Sequence, residues 1–591
     1  MKIVLNKNIN PYHGYLWGLR QPCIGLNIKI IDADSFHCKQ INFYTAILLK
    51  KIGLPQQLEV SDVGDIVSLL ALLMIEPQRN IRIPTYRDYK ISVINQSTHE
   101  YKLYIPITRV SIFEISLKSS LTIMNRLLEL SESNNDENFV SELDGFIRRT
   151  YMAFNKVYKT GQNYFSLVNA CYKLKTPIQD FSQGKLRVGI GHKTQVYKSS
   201  INSNTSPIGI DISGNKAETT QQLLAAGMPA PINFKVKDKA DLESLVKSMG
   251  FPLVVKPNDK DRGEGVYANI SDLTTLNECY QKSLEASPNI LLEKHISGNV
   301  YRFTLHNHQV VKLTKKDPLG ITGDGVSTIR ELSEILSHRL NKSNKTYQVR
   351  EVVNDEALGL IRQFGFNMES VLELDYFLPF RRKNNSSAMG KTKVLKIQES
   401  HPDNIELMSR VSRLFGLNIV GIDFIIPDIK ESWLNCESII CDVNAKPQSD
   451  PITIRNILSK DLPNFGRIPS FLIIVPANQL EKTIDTLPSQ AEKFSCNSYC
   501  SSHGIFINSK RVSKQFVDGF DAAKAMFLDQ SVHRCLVLID YDDILNHGLP
   551  LEFWSWIRLV RPENPSDNDL FKFNTVSEMI QKHTYNLEIK T

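Results

Sequence analysis

The sequence lacks the segments that would mark a membrane or secreted protein. Its longest apolar run, from Ile66 to Ile75, is interrupted by Ser68 and is too short to cross a bilayer. We therefore expect a buried helix that ends at Pro77. The amino terminus has no basic segment followed by an apolar one, so a signal peptide is not expected. The nine cysteines are scattered and odd in number, which favours reduced thiols and a cytoplasmic location without membrane contact.

The chain also lacks a large excess of charge of either sign. It has 70 lysines and arginines against 63 aspartates and glutamates, a net charge of +7 over 591 residues. A balance this mild does not indicate a nucleic-acid partner and only weakly favours small anionic ligands. Hydrophobic residues make up 42% of the chain, as in an average soluble protein. At roughly 150 residues per domain, the length predicts about four folding units.

A zinc site is not expected from the cysteine spacing. Cys496, Cys500 and His503 follow a C-x₃-C-x₂-H pattern, which does not match common zinc sites. A fourth ligand is not apparent nearby in the sequence.

The first segment that could carry chemistry is a strand followed by glycines. Leu253 to Val255 are apolar, Lys256 and Pro257 follow, and Gly263 and Gly265 come shortly afterwards. Glycines let a backbone fold closely over phosphate oxygens, and a lysine at a strand end can pair with those oxygens. An ordinary turn would give the same pattern. The segment is not a P-loop, because no Gly-Lys-Ser/Thr follows.

The second segment is a pair of apolar strands that carry polar side chains. Asn418 to Ile426 contains Asp423, and Ser438 to Ala445 contains Asp442 and Asn444 two positions apart. Side chains two apart lie on one face of a strand, so a paired strand would bring Asp423 beside them. Three oxygen ligands of this kind suit Mg²⁺. The alternative is that these carboxylates are solvated groups at strand ends.

Several motifs occur in an order that resembles the ATP-grasp ligases, most closely the ATP-grasp half of cyanophycin synthetase. The resemblance extends from about residue 185 to 455. It comprises GIGHKTQVYKSSIN, Lys216 before a helix ending in AAGMPAP, VVKP with its glycine loop, LLEKHISG, NHQVVKL, GDGVSTIREL, FRRKNNSSAMG, HPD, GIDF and DVNA. It implies ATP and Mg²⁺ as cofactors.

The resemblance also implies roles for individual residues. The residues that match the family's nucleotide-binding positions are Lys216, Lys256, Gly263, Gly265, Glu293, Lys294, Ile296 and Lys316. Those that match its metal ligands are Asp423, Asp442 and Asn444. Those that match its catalytic positions near the transferred phosphate and after the adenine hinge are Arg381, Asn385 and Arg302.

Three positions depart from the family's pattern. Val300 stands where an acidic residue holds the ribose, Lys316 where arginine is usual, and Asp442 where glutamate is usual. The shorter carboxylate can still bind Mg²⁺, although bridging two ions becomes harder. These changes predict weakened nucleotide affinity without excluding catalysis.

The last third of the chain resembles a Mur-ligase-like half that has lost its P-loop. From Gly466 the sequence runs through an apolar strand with no further glycine before Gly504, although Lys482 and Thr483 remain. A backbone phosphate cradle needs glycine conformations. Further on, Ile539 to Asp543 replaces the family's Glu-Thr-Ala-Arg-Gly-Gly segment. We therefore expect a truncated, catalytically inactive remnant.

These observations predict a multidomain protein of α/β and α+β class. We expect an N-terminal cyanophycin synthetase-like α+β domain at 1–190, an ATP-grasp domain at 191–466, and a Rossmann-like, Mur-type remnant at 467–591. The remnant's apolar strands and its LEFWSWIRLV stretch would expose a large apolar surface if left unpacked. We expect it to pack on the ATP-grasp domain or on a neighbouring subunit.

The predicted function is an ATP-dependent carboxylate–amine ligase that works through an acylphosphate. By resemblance, an amino acid such as aspartate would be added to a peptide or small carboxylate, and the protein would form a homo-oligomer, a dimer or tetramer. The main alternative is a non-catalytic paralogue that binds nucleotide and acts as a regulatory or scaffold subunit. A glutathione-synthetase-like ligase for glutamyl substrates is a third hypothesis, which the N-terminal region and the Mur-like tail disfavour.

Overall fold

The computed structural model describes residues 2–31, 42–54, 58–130, 139–157, 161–181, 184–260, 264–343, 352–381 and 391–590. Two of the predicted site residues, Gly263 and Asn385, lie outside these ranges. The chain divides into two compact units. Unit 1 consists of 1–196 together with 450–591, and unit 2 consists of 197–449.

The strands and helices follow in chain order. The first part contains β1 (Lys2–Tyr12), β2 (Cys23–Ile31), α1 (Asn42–Lys51), α2 (Val63–Asn80), β3 (Lys90–Asn95), β4 (Glu100–Pro106), α3 (Val110–Leu130), α4 (Phe139–Val157), α5 (Gln162–Leu174), β5 (Ile178–Phe181), β6 (Lys185–Val188) and β7 (Gln195–Lys198). The middle part contains β8 (Ile201–Asn202), α6 (Pro207–Gly214), α7 (Lys216–Ala225), β9 (Asn233–Val236), α8 (Lys239–Met249), β10 (Leu253–Pro257), β11 (Tyr267–Ile270), α9 (Leu273–Ala286), β12 (Ile290–Lys294), β13 (Asn299–His306), β14 (Gln309–Asp317), β15 (Gly320–Thr322), α10 (Ile329–Ser343), α11 (Asp355–Gln363), β16 (Phe377–Pro379), β17 (Lys391–Leu395), α12 (Pro402–Leu414), β18 (Ile419–Ile426) and β19 (Ile439–Asn444). The last part contains α13 (Pro451–Asp461), β20 (Ser470–Val475), α14 (Leu480–Lys493), β21 (Ser498–Ser501), β22 (Gly504–Ile507), β23 (Lys510–Arg511), α15 (Gly519–Met526), β24 (Cys535–Asp540), α16 (Tyr541–His547), β25 (Trp556–Val560), α17 (Asp567–Ile580) and β26 (Leu587–Lys590).

Unit 1 contains an antiparallel sheet in its N-terminal part. The strand order is β1-β2-β4-β3, and β2 alternates buried apolar side chains with more exposed ones towards its end. The apolar run in α2 is buried, as expected. The expected stop at Pro77 is wrong, because the helix continues through Pro77 to Asn80. The side chain of Gln78 donates a hydrogen bond to the carbonyl oxygen of Met74 at 2.7 Å, which adds a bond in the turn where proline has no N–H.

The C-terminal part of unit 1 is built on a mixed, mainly parallel sheet of seven strands. Its order is β23-β22-β21-β24-β20-β25-β26. The pairs β20–β24, β20–β25, β21–β24 and β25–β26 are parallel, whereas β22 pairs antiparallel with both neighbours. The near-continuous apolar run in β20 is fully buried, as expected for a strand covered on both faces. A parallel sheet with connecting helices agrees with the predicted Rossmann-like region.

One hydrophobic core joins the two parts of unit 1. The N-terminal residues Leu16 and Cys23 belong to the same buried cluster as Trp554 and Ile557 from the C-terminal part. Tyr15 also forms an isolated antiparallel bridge with Leu549. The C-terminal segment therefore packs on the first part of unit 1, residues 1–196.

Glycines permit the close approach between these two parts of unit 1. Gly191 has a φ of +56°, and a Cβ there would lie 2.3 Å from the carbonyl oxygen of Val532. Gly189 and Gly466 both have positive φ and lie against each other through their backbones. Backbone packing thus explains the two glycines Gly189 and Gly191 of the Gly184–Lys193 segment.

Unit 2 contains two antiparallel sheets with separate cores. The first has the order β11-β10-β12-β9 and is covered by helices α8 and α9. The second has the order β17-β14-β13-β18-β19 and packs on α12. A small two-stranded antiparallel sheet of β15 and β16 forms a third core cluster with α10 and α11.

No helix among the described residues is long and apolar enough to cross a membrane.

Candidate active site

The centre of the second sheet in unit 2 carries a ladder of charged side chains. Asp423 on β18 lies opposite Arg302 on β13 on one side and opposite Asp442 on β19 on the other. Arg302 donates two hydrogen bonds to the Asp423 carboxylate, from Nε at 2.5 Å and from Nη2 at 2.7 Å. Lys316 on β14 adds a third at 2.7 Å. The strand register therefore assembles this cluster directly.

The two cations keep Asp423 ionised in a buried position. Burial by itself would raise the pKa of the Asp423 carboxyl, but the charges and hydrogen bonds of Arg302 and Lys316 outweigh burial and lower the pKa below its usual value. The bidentate geometry with Arg302 fixes the carboxylate plane. Asp423 is thus a fixed anion rather than a mobile side chain.

Asp442 is in the opposite electrostatic situation. Burial raises the pKa of its carboxyl, and the neighbouring Asp423 charge raises it further. The positive charges of Arg302, Lys216 and Lys256 lower it in part. Like charges directly across two strands repel. A cation placed between the two carboxylates would relieve this repulsion.

The donor set fits Mg²⁺ in its chemistry. Asp423, Asp442 and Asn444 supply oxygen atoms from adjacent strands, and Gly421 lies opposite Asn444 in the same register. The Asn444 side-chain oxygen accepts one hydrogen bond, from the backbone N–H of Lys446 at 2.7 Å, and keeps a second lone pair. The two cations already bind both oxygen atoms of the Asp423 carboxylate. Asp442 is therefore the carboxylate that is more available to a metal ion.

Lys256 lies at the end of β10 in an ion pair that the sequence did not indicate. Its ammonium nitrogen is 2.6 Å from Oε1 of Glu293 on β12, and both side chains are almost fully buried. The pairing register brings them together, because Val254 lies opposite Glu293 and Lys256 opposite Leu291. Glu293 thus neutralises Lys256 in addition to occupying the expected hinge position.

Lys216 is held against the loop that follows β10. It is the first residue of α7, and Asn215 caps that helix. Its ammonium group donates to the carbonyl oxygen of Lys260, and Asn258 accepts a hydrogen bond from the backbone N–H of Ala217 at 2.9 Å. Asn258 was not predicted. Its only sequence signal is its position two residues after Lys256.

The remaining predicted nucleotide-binding residues differ in what their side chains do. Lys294 donates to three carbonyl oxygens at the end of α8, those of Met249, Gly250 and Phe251, at 2.9 to 3.2 Å. Its side chain is therefore used as a helix C-cap. Ile296 is half-buried just after β12.

Gly265 meets a packing requirement of its own. It has a φ of +67°, and a Cβ there would lie 2.8 Å from the ring of Pro257. A side chain at this position would therefore be strained and crowded at the end of β10.

The predicted residue Arg381 and the unpredicted residue Cys441 have their own contacts in unit 2. Arg381 is buried, donates from Nη1 to the carbonyl oxygen of Phe380 at 2.7 Å, and approaches Glu356 at 3.9 Å. Cys441 directly precedes Asp442 on β19, and its sulfur lies 3.5 Å from the carbonyl oxygen of Asp423. Burial and both carboxylates raise the pKa of its thiol. Cys441 was not predicted, because its apolar sequence neighbours are typical of an ordinary buried strand.

The connection between β20 and α14 lies where the sequence analysis predicts the loss of a P-loop. Pro476 to Gln479 link β20 to α14 in a short turn. Thr483 uses its hydroxyl to donate to the carbonyl oxygen of Gln479 at 2.8 Å, and Lys482 is largely exposed. This turn offers no wide loop of backbone N–H groups.

The sequence is similar to cyanophycin synthetases and to a glutathione biosynthesis protein. A cyanophycin synthetase from Synechocystis sp. is 27% identical over 393 residues, which are 63% of this chain and 44% of that protein. A cyanophycin synthetase from Geminocystis herdmanii is 26% identical over the same length, with the same coverage. A glutathione biosynthesis bifunctional protein from Mannheimia succiniciproducens is 25% identical over 266 residues, 44% of this chain and 35% of that protein. No protein-family profile matches the sequence.

Solved structures match more distantly. A bifunctional glutathione synthetase from Pasteurella multocida aligns with a TM-score of 0.38 and 13% identity, covering 74% of this chain and 82% of that one. A D-alanine–D-alanine ligase from Bacillus anthracis aligns with a TM-score of 0.28 and 14% identity, covering 45% and 70%. The chain spans less than half the length of the cyanophycin synthetases it matches.

Proposed function

The chain is a distant, cyanophycin synthetase-like relative within the ATP-grasp ligases, and from that premise we propose that it joins a carboxylate to an amine at the expense of ATP. The reaction would pass through an acylphosphate: the carboxylate oxygen attacks the γ-phosphorus, ADP leaves, and the amine then displaces phosphate. Both steps need neutralisation of negative charge more than they need a strong base.

The convergence of four cations and two carboxylates in unit 2 is the observation that supports this proposal. Arg302, Lys216 and Lys256 all act on the carboxyl of Asp442, and Lys316 binds Asp423. Lysines from two separate elements, α7 and β10, would contact the nucleotide phosphates. Mg²⁺, held through Asp442, Asn444 and the outer edge of Asp423, would neutralise charge on the transferred group.

The proposed substrates are an amino acid, with aspartate the first candidate, and a peptide or small carboxylate acceptor. This assignment comes from the relatives' names and from the cation-rich site, which suits acidic ligands. Arg381 would offset charge on the acyl oxygen, and the resemblance suggests Asn385 as a second catalytic residue. A homo-oligomer, a dimer or tetramer, remains part of the proposal, as does the Mur-like origin of residues 467–591.

One observation favours the alternative of a non-catalytic, nucleotide-binding subunit. Asp423 already has three hydrogen bonds from protein cations, so the site is electrostatically satisfied in part without metal. A scaffold that binds nucleotide weakly would need no more than this.

An ADP-release assay over a panel of amino acids and short acidic peptides distinguishes the two hypotheses. A ligase sustains ADP release over many turnovers only when both the carboxylate and the amine are present, and the release requires Mg²⁺. Asp423→Asn should remove most of this turnover, whereas Asp211→Asn, an exposed aspartate on α6 of the same unit, should leave it unchanged. ATP binding without ADP release for any pair would favour the scaffold hypothesis.

A further inference from the structure

Lys316 is held in the unit 2 site by a single contact. It lies on β14 opposite Val300, so its side chain must extend across β13 to reach Asp423 on β18. Its ammonium group donates to Oδ1 of Asp423 at 2.7 Å and makes no other hydrogen bond or ion pair within the described part of the chain. A lysine that is bound at one atom by a flexible stem can leave that atom without disturbing its strand.

Arg302 binds the same carboxylate in a more rigid way. It lies directly opposite Asp423, and it donates from Nε to Oδ1 at 2.5 Å and from Nη2 to Oδ2 at 2.7 Å. Gly421 leaves the room for this geometry, because a Cβ there would lie 2.3 Å from Nη1 of Arg302. The bidentate pair therefore keeps Asp423 paired even when Lys316 leaves. Oδ1 accepts from two cations at once, and Lys316 is the one that can be exchanged.

The charges of the site do not balance while Lys316 is in place. Four cations and three carboxylates meet there, which leaves one positive charge: Arg302, Lys316, Lys216 and Lys256 against Asp423, Asp442 and Glu293. A divalent cation that enters this site meets a net positive charge, and at Oδ1 of Asp423 it meets two donors. Lys316 and a metal ion are therefore alternatives at Asp423.

We propose that Lys316 takes the place of the metal on Asp423 until a nucleotide binds, so that the protein without nucleotide has little affinity for a divalent cation. This inference rests on the proposed function, because it takes Asp423 and Asp442 as metal ligands. The phosphates of a nucleotide would draw Lys316 off Oδ1, and the freed oxygen belongs to the residue directly opposite Asp442. Metal and nucleotide then bind with positive coupling, and Lys316 carries part of that coupling.

The test measures binding of Mn²⁺ to the full chain without nucleotide, from the electron paramagnetic resonance signal of the free ion. Mn²⁺ suits the same oxygen ligands as Mg²⁺. Lys316→Met should bind Mn²⁺ about tenfold or more tightly than wild type, because a unit charge a few ångströms from a divalent ion opposes binding by about that much. Lys316→Arg, which keeps the charge, should bind as weakly as wild type. Adding Asp442→Asn to Lys316→Met should remove the gain.

Two other lysines of unit 2 serve as controls. Lys315→Met removes the neighbouring lysine, whose ammonium lies 3.7 Å from Asp317, and should leave the Mn²⁺ affinity unchanged. Lys216→Met removes the same charge from the site itself, but that ammonium donates to the carbonyl oxygen of Lys260 and does not occupy Asp423. Its gain in Mn²⁺ affinity should be clearly smaller than that of Lys316→Met.

Lys316→Gln covers the case in which Lys316→Met fails to fold, since it also removes the charge and can still donate to Asp423. It should bind Mn²⁺ more tightly than wild type. Equal affinity in wild type and the neutral variants, or an equal gain in Lys216→Met, would overturn this proposal and leave the ligase reaction to the ADP-release assay. The absence of Mn²⁺ binding in every variant would overturn the metal site and this proposal together.

Discussion

At the scale of single residues, the Lys256–Glu293 pair changes how the phosphate contact should be tested. Removing Lys256 alone would strand a buried carboxylate, which costs about 3–5 kcal/mol of stability and would hide any effect on ATP. The double variant Lys256→Met/Glu293→Gln keeps the interior neutral. It should lower ATP-dependent turnover by about 30- to 150-fold, which corresponds to the loss of one charge-assisted contact of about 2–3 kcal/mol, with little change in melting temperature.

The control is Lys482→Ala, which removes a largely exposed lysine on α14 of unit 1 and should retain full turnover. Equal losses in the two variants would mean that the C-terminal segment also binds ATP.

A buried histidine gives unit 1 a pH dependence of defined sign. His583 accepts the backbone N–H of Gly18 through Nε2 at 3.0 Å, and its Nδ1 lies 2.6 Å from the carbonyl oxygen of Glu552. Burial lowers its pKa to about 4, against the pull of its hydrogen bonds to the backbone. His583 in the unfolded chain therefore binds a proton near pH 6.5, whereas in the folded chain it binds one only near pH 4. Because the unfolded state binds more protons between these values, the free energy of unfolding decreases as pH falls from 6.5 to 4.

The stability difference between wild type and His583→Asn isolates this effect. Asp543, whose pKa burial raises to about 7, has the opposite dependence and cancels in the comparison. The advantage of wild type over the variant, measured by urea unfolding, should shrink by about 2 kcal/mol between pH 7 and pH 5. A difference that stays constant with pH would contradict a neutral, buried His583.

At the scale of elements, the sequence predicts which side chains share one face of a strand and where a turn needs glycine. It does not predict which residues lie opposite each other on neighbouring strands. The period-two spacing predicted that Asp442 and Asn444 share a face, and the structure has Asp423 opposite Asp442. The sequence could not give the Arg302 contact, because that depends on which strand lies on the other side of β18. Helix α2 shows the converse: a local rule predicted an end at Pro77, but burial of the whole helix carries it to Asn80.

The glycine contacts of unit 1 give an element-scale prediction. Gly191→Ala should be strongly destabilising, because a Cβ there meets the Val532 carbonyl oxygen at 2.3 Å and the backbone is left-handed. Gly145→Ala, within α4 of the same unit, is the matched control, since its nearest neighbour is the end of the flexible Arg149 side chain at 3.4 Å. This control should be neutral or stabilising by up to about 1 kcal/mol. Melting temperatures of the two variants give the comparison, and a Gly191→Ala protein as stable as the control would contradict the close approach.

At the scale of the whole molecule, the two sequence-distant parts of unit 1 form one folding unit. The sequence resemblance predicts domain boundaries at 190 and 466, and these stay predictions; the chain passes between its two compact units at 196 and 449. It could not predict that the first and last parts share a core, because no local pattern records which apolar faces meet. The comparisons confirmed the resemblance to cyanophycin synthetases, whereas the site residues stay predictions.

Truncation after Arg467 should therefore damage the N-terminal part instead of merely removing a tail. It would expose the apolar side chains of Leu16 and Cys23, which are now buried with Trp554 and Ile557, and would remove the backbone hydrogen bonds between Tyr15 and Leu549. Exposed apolar surface of this kind leads to association. Light scattering of the truncated protein should show aggregation.

A second experiment uses the full chain. Urea unfolding, followed separately by the fluorescence of Trp17 and of Trp554 in single-tryptophan variants, should give one shared transition. A truncated protein that stays soluble at unchanged size, or two separate transitions, would mean that the two parts fold independently.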